Sequence, residues 1–406
     1  MEKSIVVKIG GSSLSKPGKI KHLAKTIAIT AKKGKKIVTV VSAIGKTTDE
    51  LISFANQVSK EICEEELDGI VSMGERISAR LFCSALRAEN LKAKFIDVDN
   101  ENWPLITDEK HGNANVLLPE SKTFIKSTIE NLLRDNSVVV VPGFIGRTKE
   151  GKITTLGRGG SDTTAFVIAD AIDAEQVILI SDSCLKSGDI KIIKNPKEIP
   201  EIEIEDLLCF ADSGTKFIHK KSLLYKPKGI DVRIINNRSK NLLEKGTLIK
   251  GSLRELYVED NGRELAMLTI SGRHLIQNKE LLINLFELIE KQKIRVIGLN
   301  ANSNSLELYV DGVTKKQINQ VHDLAINSEN VLGLAVRRNL CLLKIKGIAL
   351  ETTEGILAKI TNALREEHLN IFGVFTITNS ILIFLDSRNA DKAKELLEKK
   401  LGTTQK

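Results

Sequence analysis

The sequence lacks the features that mark membrane, disulfide-bonded and metal-binding proteins. Its five cysteines form no CxxC pair, and its six histidines show no ligand spacing. This pattern predicts buried thiols in a reducing compartment, without a disulfide framework or a structural metal. No segment approaches the apolar length that spans a bilayer, and residues 1–11, MEKSIVVKIGG, do not resemble a signal peptide. We therefore expect a cytoplasmic protein that does not enter a membrane.

Aromatic residues are also scarce, with three tyrosines and one tryptophan available to stack on nucleic-acid bases. The net charge of +8 comes from lysines and arginines in short groups, such as those at 32–36, 315–316 and 399–400. Dispersed lysine favours solubility and mild steering of anionic substrates. We therefore expect no nucleic-acid partner.

The length of 406 residues predicts two or more domains. In the first part of the chain, short β-branched runs alternate with amphipathic segments at helical spacing. Such alternation predicts a mainly parallel sheet with helices on both faces. The predicted strands are 4–10, 37–41, 92–98, 137–143 and 176–181, and the predicted helices include 67–86, 121–133 and 162–172.

After about residue 252 the order changes to β-α-β-β-α, and this order occurs twice. A strand predicted at 331–337 follows the first copy, and a strand predicted at 340–347 begins the second copy. The repeat indicates tandem α+β ferredoxin-like modules. We expect a first domain at 1–252 and two small modules at 262–338 and 339–406.

Three loops follow predicted strands at the carboxyl edge of the sheet, where ligands bind in such folds. They are GGSS at 10–13, SAIGKTT at 42–48 and GFIGRTKEGKITTLGRGGSD at 143–162. Gly10 and Gly11 would let backbone N–H groups approach a phosphate, although a simple turn is an equal interpretation. A Walker A motif is excluded because Val40 stands where it needs glycine. Thr47, with a glutamate three residues on, predicts a capping box.

Three charged residues suggest chemistry at these loops. Lys8 interrupts an apolar strand and could neutralise a transferring phosphoryl group, or it could be an edge lysine in water. Glu75 lies off the apolar stripe of its helix and could face solvent or a cleft. Arg158 suits a carboxylate through its planar fork, so Glu75 and Arg158 together would recognise an amino acid. The stripe consists of Ile70, Met73, Ile77 and Leu81.

Several motifs resemble those of aspartate kinases in the amino-acid kinase superfamily. They are VKIGGSS, VVSAIGKTTDEL, SMGERISARLF, VVPGFIG and TTLGRGGSDTTA, and the C-terminal repeat resembles that family's paired ACT domains. The resemblance covers essentially the whole chain and implies an amino-acid kinase fold followed by ACT domains. It implies phosphorylation of the L-aspartate side chain by MgATP, giving 4-phospho-L-aspartate on the route to lysine, threonine and methionine. It also implies a homodimer or larger assembly and a lysine or threonine effector.

The resemblance also assigns individual residues. The aspartate site would comprise Thr47, Glu75 for the amino group, Phe144, Arg158 for the α-carboxylate, Gly159 and Ser161. The catalytic residues would be Lys8 at the transferring phosphoryl, Asp162 orienting the lysines, and Lys216. The nucleotide site would comprise Lys8, Gly10, Gly11, Ser12, Ser181, Asp182 and Lys216. The effector site would comprise Thr353, Gly355 and Ile356, since Gly355 begins a helix.

One segment departs from the family pattern. Residues 181–192, SDSCLKSGDIKI, keep Ser181 and Asp182 but lack the usual tyrosine and arginine, near which Ser187 and Lys191 stand. Three interpretations follow: a working enzyme with a reshaped adenine pocket, a different nucleotide, or a chain that no longer catalyses. We favour the first, because the charged site residues remain. The alternatives are a non-catalytic ACT-bearing regulatory protein, or a superfamily enzyme acting on glutamate derivatives, uridylate or carbamate.

Overall fold

The computed structural model describes residues 3–188, 192–212, 218–253, 255–347, 349–377 and 379–402. The chain divides into two compact units, one ending at Leu253 and the other beginning at residue 254. Lys191 and Lys216 lie outside the described residues. In the part of the chain that the structure describes, no helix combines the length and apolarity needed to cross a membrane.

The first unit is built on a sheet whose strands run in the order β3-β4-β2-β1-β7-β9-β10-β8, parallel except between β9 and β10. Its elements are β1 Ile5–Ile9, α1 Gly11–Leu14, α2 Pro17–Ala31, β2 Ile37–Val41, α3 Thr47–Val58, α4 Glu64–Ala88, β3 Ala93–Phe95, α5 Leu118–Asp135, β4 Val138–Pro142, β5 Ile145–Arg147, β6 Ile153–Thr155, α6 Gly160–Ala171, β7 Gln176–Ser181, β8 Glu201–Glu203, α7 Ile204–Asp212, α8 Lys220–Leu223, β9 Asp231–Asn236 and β10 Thr247–Lys250. Strands β5 and β6 form a separate antiparallel pair.

Helices cover both faces of this sheet. Every residue of β2 and β4 is buried, as expected for strands that are covered on two sides. On one face, Leu23 of α2 and Phe82 of α4 pack in a single cluster with Val7 of β1. Helices α5 and α6 contact each other and the sheet. The loops at the carboxyl ends of β1, β2 and β4 therefore rest on a rigid core.

The start of α3 differs from the predicted capping box. The N-cap is Lys46, and no side chain caps the helix. Thr47 is the first helical residue, and its hydroxyl donates to the carbonyl of Ile44 at 2.7 Å. The prediction was wrong because the left-handed turn at Gly45 (φ 58°) moves the helix start by one residue.

The second unit contains an antiparallel sheet in the order β13-β14-β12-β15-β17-β16, with β11 also paired to β15. Its elements are β11 Tyr257–Asp260, β12 Leu265–Gly272, α9 Lys279–Lys291, β13 Arg295–Ala301, β14 Ser305–Asp311, α10 Lys315–Ile326, β15 Val331–Lys346, α11 Ala349–Thr352, α12 Ile356–Glu366, β16 Gly373–Ile377, β17 Ser380–Asp386 and α13 Ala390–Leu401, with 3₁₀ turns at Leu275–Gln277 and Ser387–Asn389. Residues of α9 and α10 share one apolar cluster with β12 and β14, and residues of α12 and α13 share another with β15 and β17.

The two strands predicted at 331–337 and 340–347 form one continuous strand, β15. Its first half pairs with β12, and its second half pairs with β17 and β11. The division was wrong because no glycine or proline interrupts residues 334–346. Val258 of β11 packs in the second module's cluster, so that module also includes a strand outside the predicted boundaries.

Candidate active site

A cleft of about 1080 Å³ opens in the first unit at the carboxyl edge of the sheet. The loop between β6 and α6 and the inward face of α4 supply much of its wall. Seven of the residues predicted from the sequence line this one cleft: Lys8, Glu75, Phe144, Arg158, Gly159, Ser161 and Asp162. The structure therefore brings together residues that are up to 154 positions apart in the chain.

Glycine is required in the β6–α6 loop by local crowding. Gly159 is left-handed (φ 76°), and a Cβ atom there would lie 2.5 Å from Cβ of His219. A Cβ atom on Gly160 would lie 2.7 Å from the ring of Phe144, itself left-handed at φ 69°. A bulky residue in that conformation is strained and persists only where packing fixes it. The loop is thus held rigidly against the cleft.

A buried ion pair lies on the cleft wall. The ammonium of Lys8, at the end of β1, lies 2.8 Å from a carboxylate oxygen of Asp162 in the first turn of α6. The Lys8 and Asp162 side chains are 16% and 9% exposed. Each side chain is therefore accessible from the cleft, although the protein buries most of its surface. The pair therefore presents a fixed positive group to the cleft.

Glu75 points into the cleft and not into solvent. One carboxylate oxygen accepts a bond of 3.1 Å from the amide of Ala43, and the other is buried without a partner. Burial raises the pKa of Glu75 to about 7. A buried carboxylate oxygen with no donor favours a ligand that brings a positive donor.

Arg158 is an unpaired cation that lines the cleft. Its guanidinium is exposed and makes no ion pair with any described residue. The apolar stripe of α4, by contrast, faces away from the cleft and is partly exposed. Glu75 and Arg158 therefore offer an anionic and a cationic group to a ligand.

Ser42 and His219 are among the cleft residues that sequence reasoning missed. The hydroxyl of Ser42 lies 3.0 Å from that of Ser161, which joins the loop after β2 to the start of α6. His219 lies against Gly159, and burial together with Arg158 lowers the pKa of its imidazole. The signal for Ser42 was its place directly after a buried strand, whereas His219 is distant in sequence and shows no local pattern.

Thr47 does not line the cleft, and neither do five residues predicted for the nucleotide: Gly10, Gly11, Ser12, Ser181 and Asp182. Thr47 packs near Gly74 of α4, while its neighbour Thr48 lines the cleft. A Cβ atom on Gly11 would lie 2.5 Å from the carbonyl oxygen of Ala43, so this glycine is needed for contact between two loops. A Cβ atom on Gly10 would meet only ordinary contacts.

Ser12 and Asp182 are joined through other side chains. Lys19 donates to the carbonyl of Ser12 at 2.8 Å and lies 3.8 Å from Asp182. Asn237 donates to Asp182 at 2.6 Å, and its own amide donates to the carbonyl of Ser181 at 2.7 Å. These contacts define a polar edge next to the Lys8 end of the cleft. Within the described residues, no three metal-binding side chains converge.

A separate cavity of about 470 Å³ lies in the second unit. It brings together Thr353, Gly355 and Ile356. Gly355 is a left-handed N-cap (φ 75°) without a side-chain cap, so the first N–H groups of α12 have no partner from the cap. At α9, by contrast, the side chain of Asn278 accepts from the amide of Leu281.

Comparison with known proteins identifies the family. Residues 3–236 match the model of the amino acid kinase family. The chain is 28% identical over 418 residues to an aspartokinase of Mycolicibacterium smegmatis, covering 98% of this chain and 96% of that protein. It resembles the crystal structure of aspartate kinase from Synechocystis with a TM-score of 0.78 and 24% identity, over 99% of this chain and 70% of that one. It also resembles E. coli aspartokinase III in complex with aspartate and ADP, with a TM-score of 0.55 and 20% identity, over 98% and 100% of the two chains.

The chain belongs to the amino acid kinase family. The fold predicted from the sequence, a helix-covered and mainly parallel sheet followed by ferredoxin-like ACT modules, is confirmed. The similarity to aspartokinases over nearly the full length confirms the resemblance read from the motifs.

Proposed function

We propose that this protein is an aspartate kinase, which transfers the γ-phosphoryl group of ATP to the side-chain carboxylate of L-aspartate. The main support is the composition of the cleft. It contains an unpartnered, buried oxygen of Glu75, the unpaired Arg158 and the Lys8–Asp162 ion pair. An amino acid with a second carboxylate satisfies all three groups at once. The full-length similarity to aspartokinases supports the same conclusion.

Each charge of the substrate has a complementary group in this proposal. The α-amino group lies at Glu75, and the α-carboxylate lies on the guanidinium of Arg158, with Ser161 and Gly159 beside it. The side-chain carboxylate then points towards Lys8, whose ammonium stabilises the charge of the transferring phosphoryl group. Asp162 holds Lys8 in place. Catalysis follows from positioning and electrostatics, without a covalent enzyme intermediate.

The nucleotide would approach along the Gly10–Ser12 loop and the Ser181–Asp182 edge. Gly11 and Ser12 are the first two residues of α1, so their N–H groups lack intrahelical acceptors. Magnesium would arrive with ATP, since this ion prefers phosphate oxygens, water and one or two carboxylates to an all-protein cage. Lys216 is proposed to reach the phosphates.

Trapping of the acyl phosphate tests the proposal. Purified protein with MgATP, L-aspartate and hydroxylamine should give aspartyl hydroxamate, and the Asp162→Ala variant should give far less. Absence of product with ATP and with GTP, from protein whose fold is verified, would contradict the assignment. That result would favour the regulatory interpretation, which the altered segment at 181–192 supports.

We further propose that the second unit binds lysine or threonine at the cavity around Thr353, Gly355 and Ile356. The uncapped start of α12 suits the effector carboxylate, whereas Asn278 already occupies the start of α9. We assign the catalytic domain to 1–252 and the ACT domains to 262–338 and 339–406, with β11 added to the second ACT domain. Unchanged activity at millimolar lysine and threonine would contradict the effector proposal.

We also propose a homodimer or larger assembly in the cytoplasm. The apolar stripe of α4 is 38–49% exposed, while the same helix is acidic in its first turn and basic in its last. Antiparallel packing against α4 of a second copy would bury the stripe and place opposite charges together. Buried free thiols at Cys83, Cys184 and Cys341 support a reducing compartment. A monomeric mass in light scattering would contradict the assembly.

A further inference from the structure

A second carboxylate residue of α4, Asp68, lines the same cleft as Glu75. The two lie seven residues apart, which is two helical turns, or about 10 Å along one face. Asp68 is only 3% exposed. Unlike Glu75, it has no free oxygen, because protein donors saturate its carboxylate. Glu75 can therefore accept a hydrogen bond from a ligand, whereas the Asp68 carboxylate is bonded within the protein.

The donors to Asp68 come from two separate segments. From the first, the imidazole Nδ1 of His111 lies at 2.9 Å and the amide of Gly112 at 3.0 Å. From the second, Thr155 donates its amide at 3.1 Å and its hydroxyl at 2.5 Å. Charge-assisted bonds of this kind are about twice as strong as neutral ones. Asp68 thus joins the 111–114 segment to the end of β6.

The same two segments contact each other beyond Asp68. The amide of Ala114 donates to the carbonyl of Thr155 at 2.9 Å. Gly157 is left-handed, and a Cβ atom there would lie 2.7 Å from the side chain of Asn113. The 111–114 segment therefore forms the outer wall of the loop that carries Arg158.

A cation fixes the opposite side of this wall. The ammonium of Lys221 donates to the carbonyls of Asn113, Ala114 and Leu156 at 2.9–3.1 Å and to the Asn113 side chain at 2.7 Å. Burial lowers the pKa of Lys221. Asp68 thus binds Thr155 and Lys221 binds Leu156, which lie three and two residues before Arg158. The two side chains together fix the start of the loop.

We propose that Asp68 is a positioning residue that sets where Arg158 meets the α-carboxylate of the substrate. This inference rests on the proposed function. Asp68 touches no reacting atom; its effect passes through Thr155 and the three residues that follow it. The role predicts a selective defect, in which recognition of the α-carboxylate weakens while other steps remain.

Substrate discrimination provides the test. We would measure kcat/KM for L-aspartate and for its α-amide, which keeps the reacting side chain and the amine. Asp68→Asn and Thr155→Val should reduce the preference for L-aspartate by about tenfold, because a displaced guanidinium weakens its charge-assisted hydrogen bond to the α-carboxylate. Thr155→Ser, which keeps the hydroxyl, should restore it.

Thr154→Val is the matched control. Thr154 is equally buried on β6, but its hydroxyl pairs with Thr107 at 2.6 Å and not with Asp68. This variant should keep the wild-type preference. Equal losses for both substrates in Asp68→Asn, or the same loss of preference in Thr154→Val, would overturn the inference in favour of a general structural role.

The design separates this inference from the proposed function. If the wild type phosphorylates neither substrate, the proposed kinase activity fails, and the same variants are compared by calorimetric binding of the two ligands. If the wild type phosphorylates L-aspartate and its α-amide equally well, Arg158 does not recognise the α-carboxylate. The inference then fails, while the proposed kinase activity stands. If Asp68→Asn does not fold, the inference is tested by comparing the preference for L-aspartate in Thr155→Val with that in Thr155→Ser.

Discussion

Replacement of Glu75 by glutamine should stabilise the ligand-free protein above neutral pH. Burial raises the pKa of this carboxyl from 4.5 to about 7 in the folded state. The folded state therefore binds the proton more tightly than the unfolded state, and the free energy of unfolding falls as pH rises from 4.5 to about 7. With these two pKa values, the wild type loses about 2 to 3 kcal/mol between pH 5 and pH 8, a loss that Glu75→Gln avoids.

The chain offers a specific probe for this measurement. Its one tryptophan, Trp103, is 1% exposed and lies in the first unit, so its fluorescence reports unfolding of the unit that contains Glu75. Urea unfolding at pH 5 and pH 8 should show that the stability advantage of Glu75→Gln over the wild type grows by about 2 to 3 kcal/mol. Glu66→Gln, at an exposed site on α4, should change stability by less than about 0.5 kcal/mol at both pH values.

The same substitution should weaken aspartate binding. The glutamine keeps the bond from the amide of Ala43 but offers no negative charge to the substrate ammonium. KM for aspartate should rise about 10- to 100-fold, as expected for loss of a charge-assisted hydrogen bond. A stability difference that does not change with pH, or an unchanged KM, would refute the assignment of Glu75 as a desolvated partner of the amino group.

Three further predictions follow from the site and the stripe. Asp162→Asn should lower kcat about 100-fold or more with the fold intact, because Lys8 loses its carboxylate; a kcat within threefold of wild type would show that other contacts place Lys8. Gly159→Ala should raise KM for aspartate about tenfold, whereas Gly229→Ala, left-handed in open space, should cost stability alone; equal KM effects would contradict the crowding argument. Ile77→Glu should shift the mass in light scattering towards monomer, and an unchanged mass would exclude the α4 stripe as the contact.

Part of the site could be predicted from the sequence because its residues lie in short, distinctive motifs. The LGRGGSD loop combines glycines with charges in an order that few turns require, and Lys8 interrupts an otherwise apolar strand. The same holds for the fold: alternating buried strands and amphipathic helices predicted the sheet, and a repeated β-α-β-β-α order predicted the two modules. Local sequence determines such features because strand burial and helical periodicity depend on neighbouring residues.

The tertiary structure decided what no local pattern contains. Glu75 and Ile77 lie two positions apart on one helix, and only packing against β-strands on one side shows that the carboxylate is buried and the isoleucine exposed. Strand β15 joins both modules because its hydrogen-bonding partners change along its length, which depends on strands distant in sequence. Asp68, His219 and Lys221 acquire their roles only when separate segments meet. The sequence by itself determined the class of fold and the charged groups available for chemistry. Their burial and pairing were decided by long-range packing, since desolvation and hydrogen bonding depend on the three-dimensional neighbours of each group.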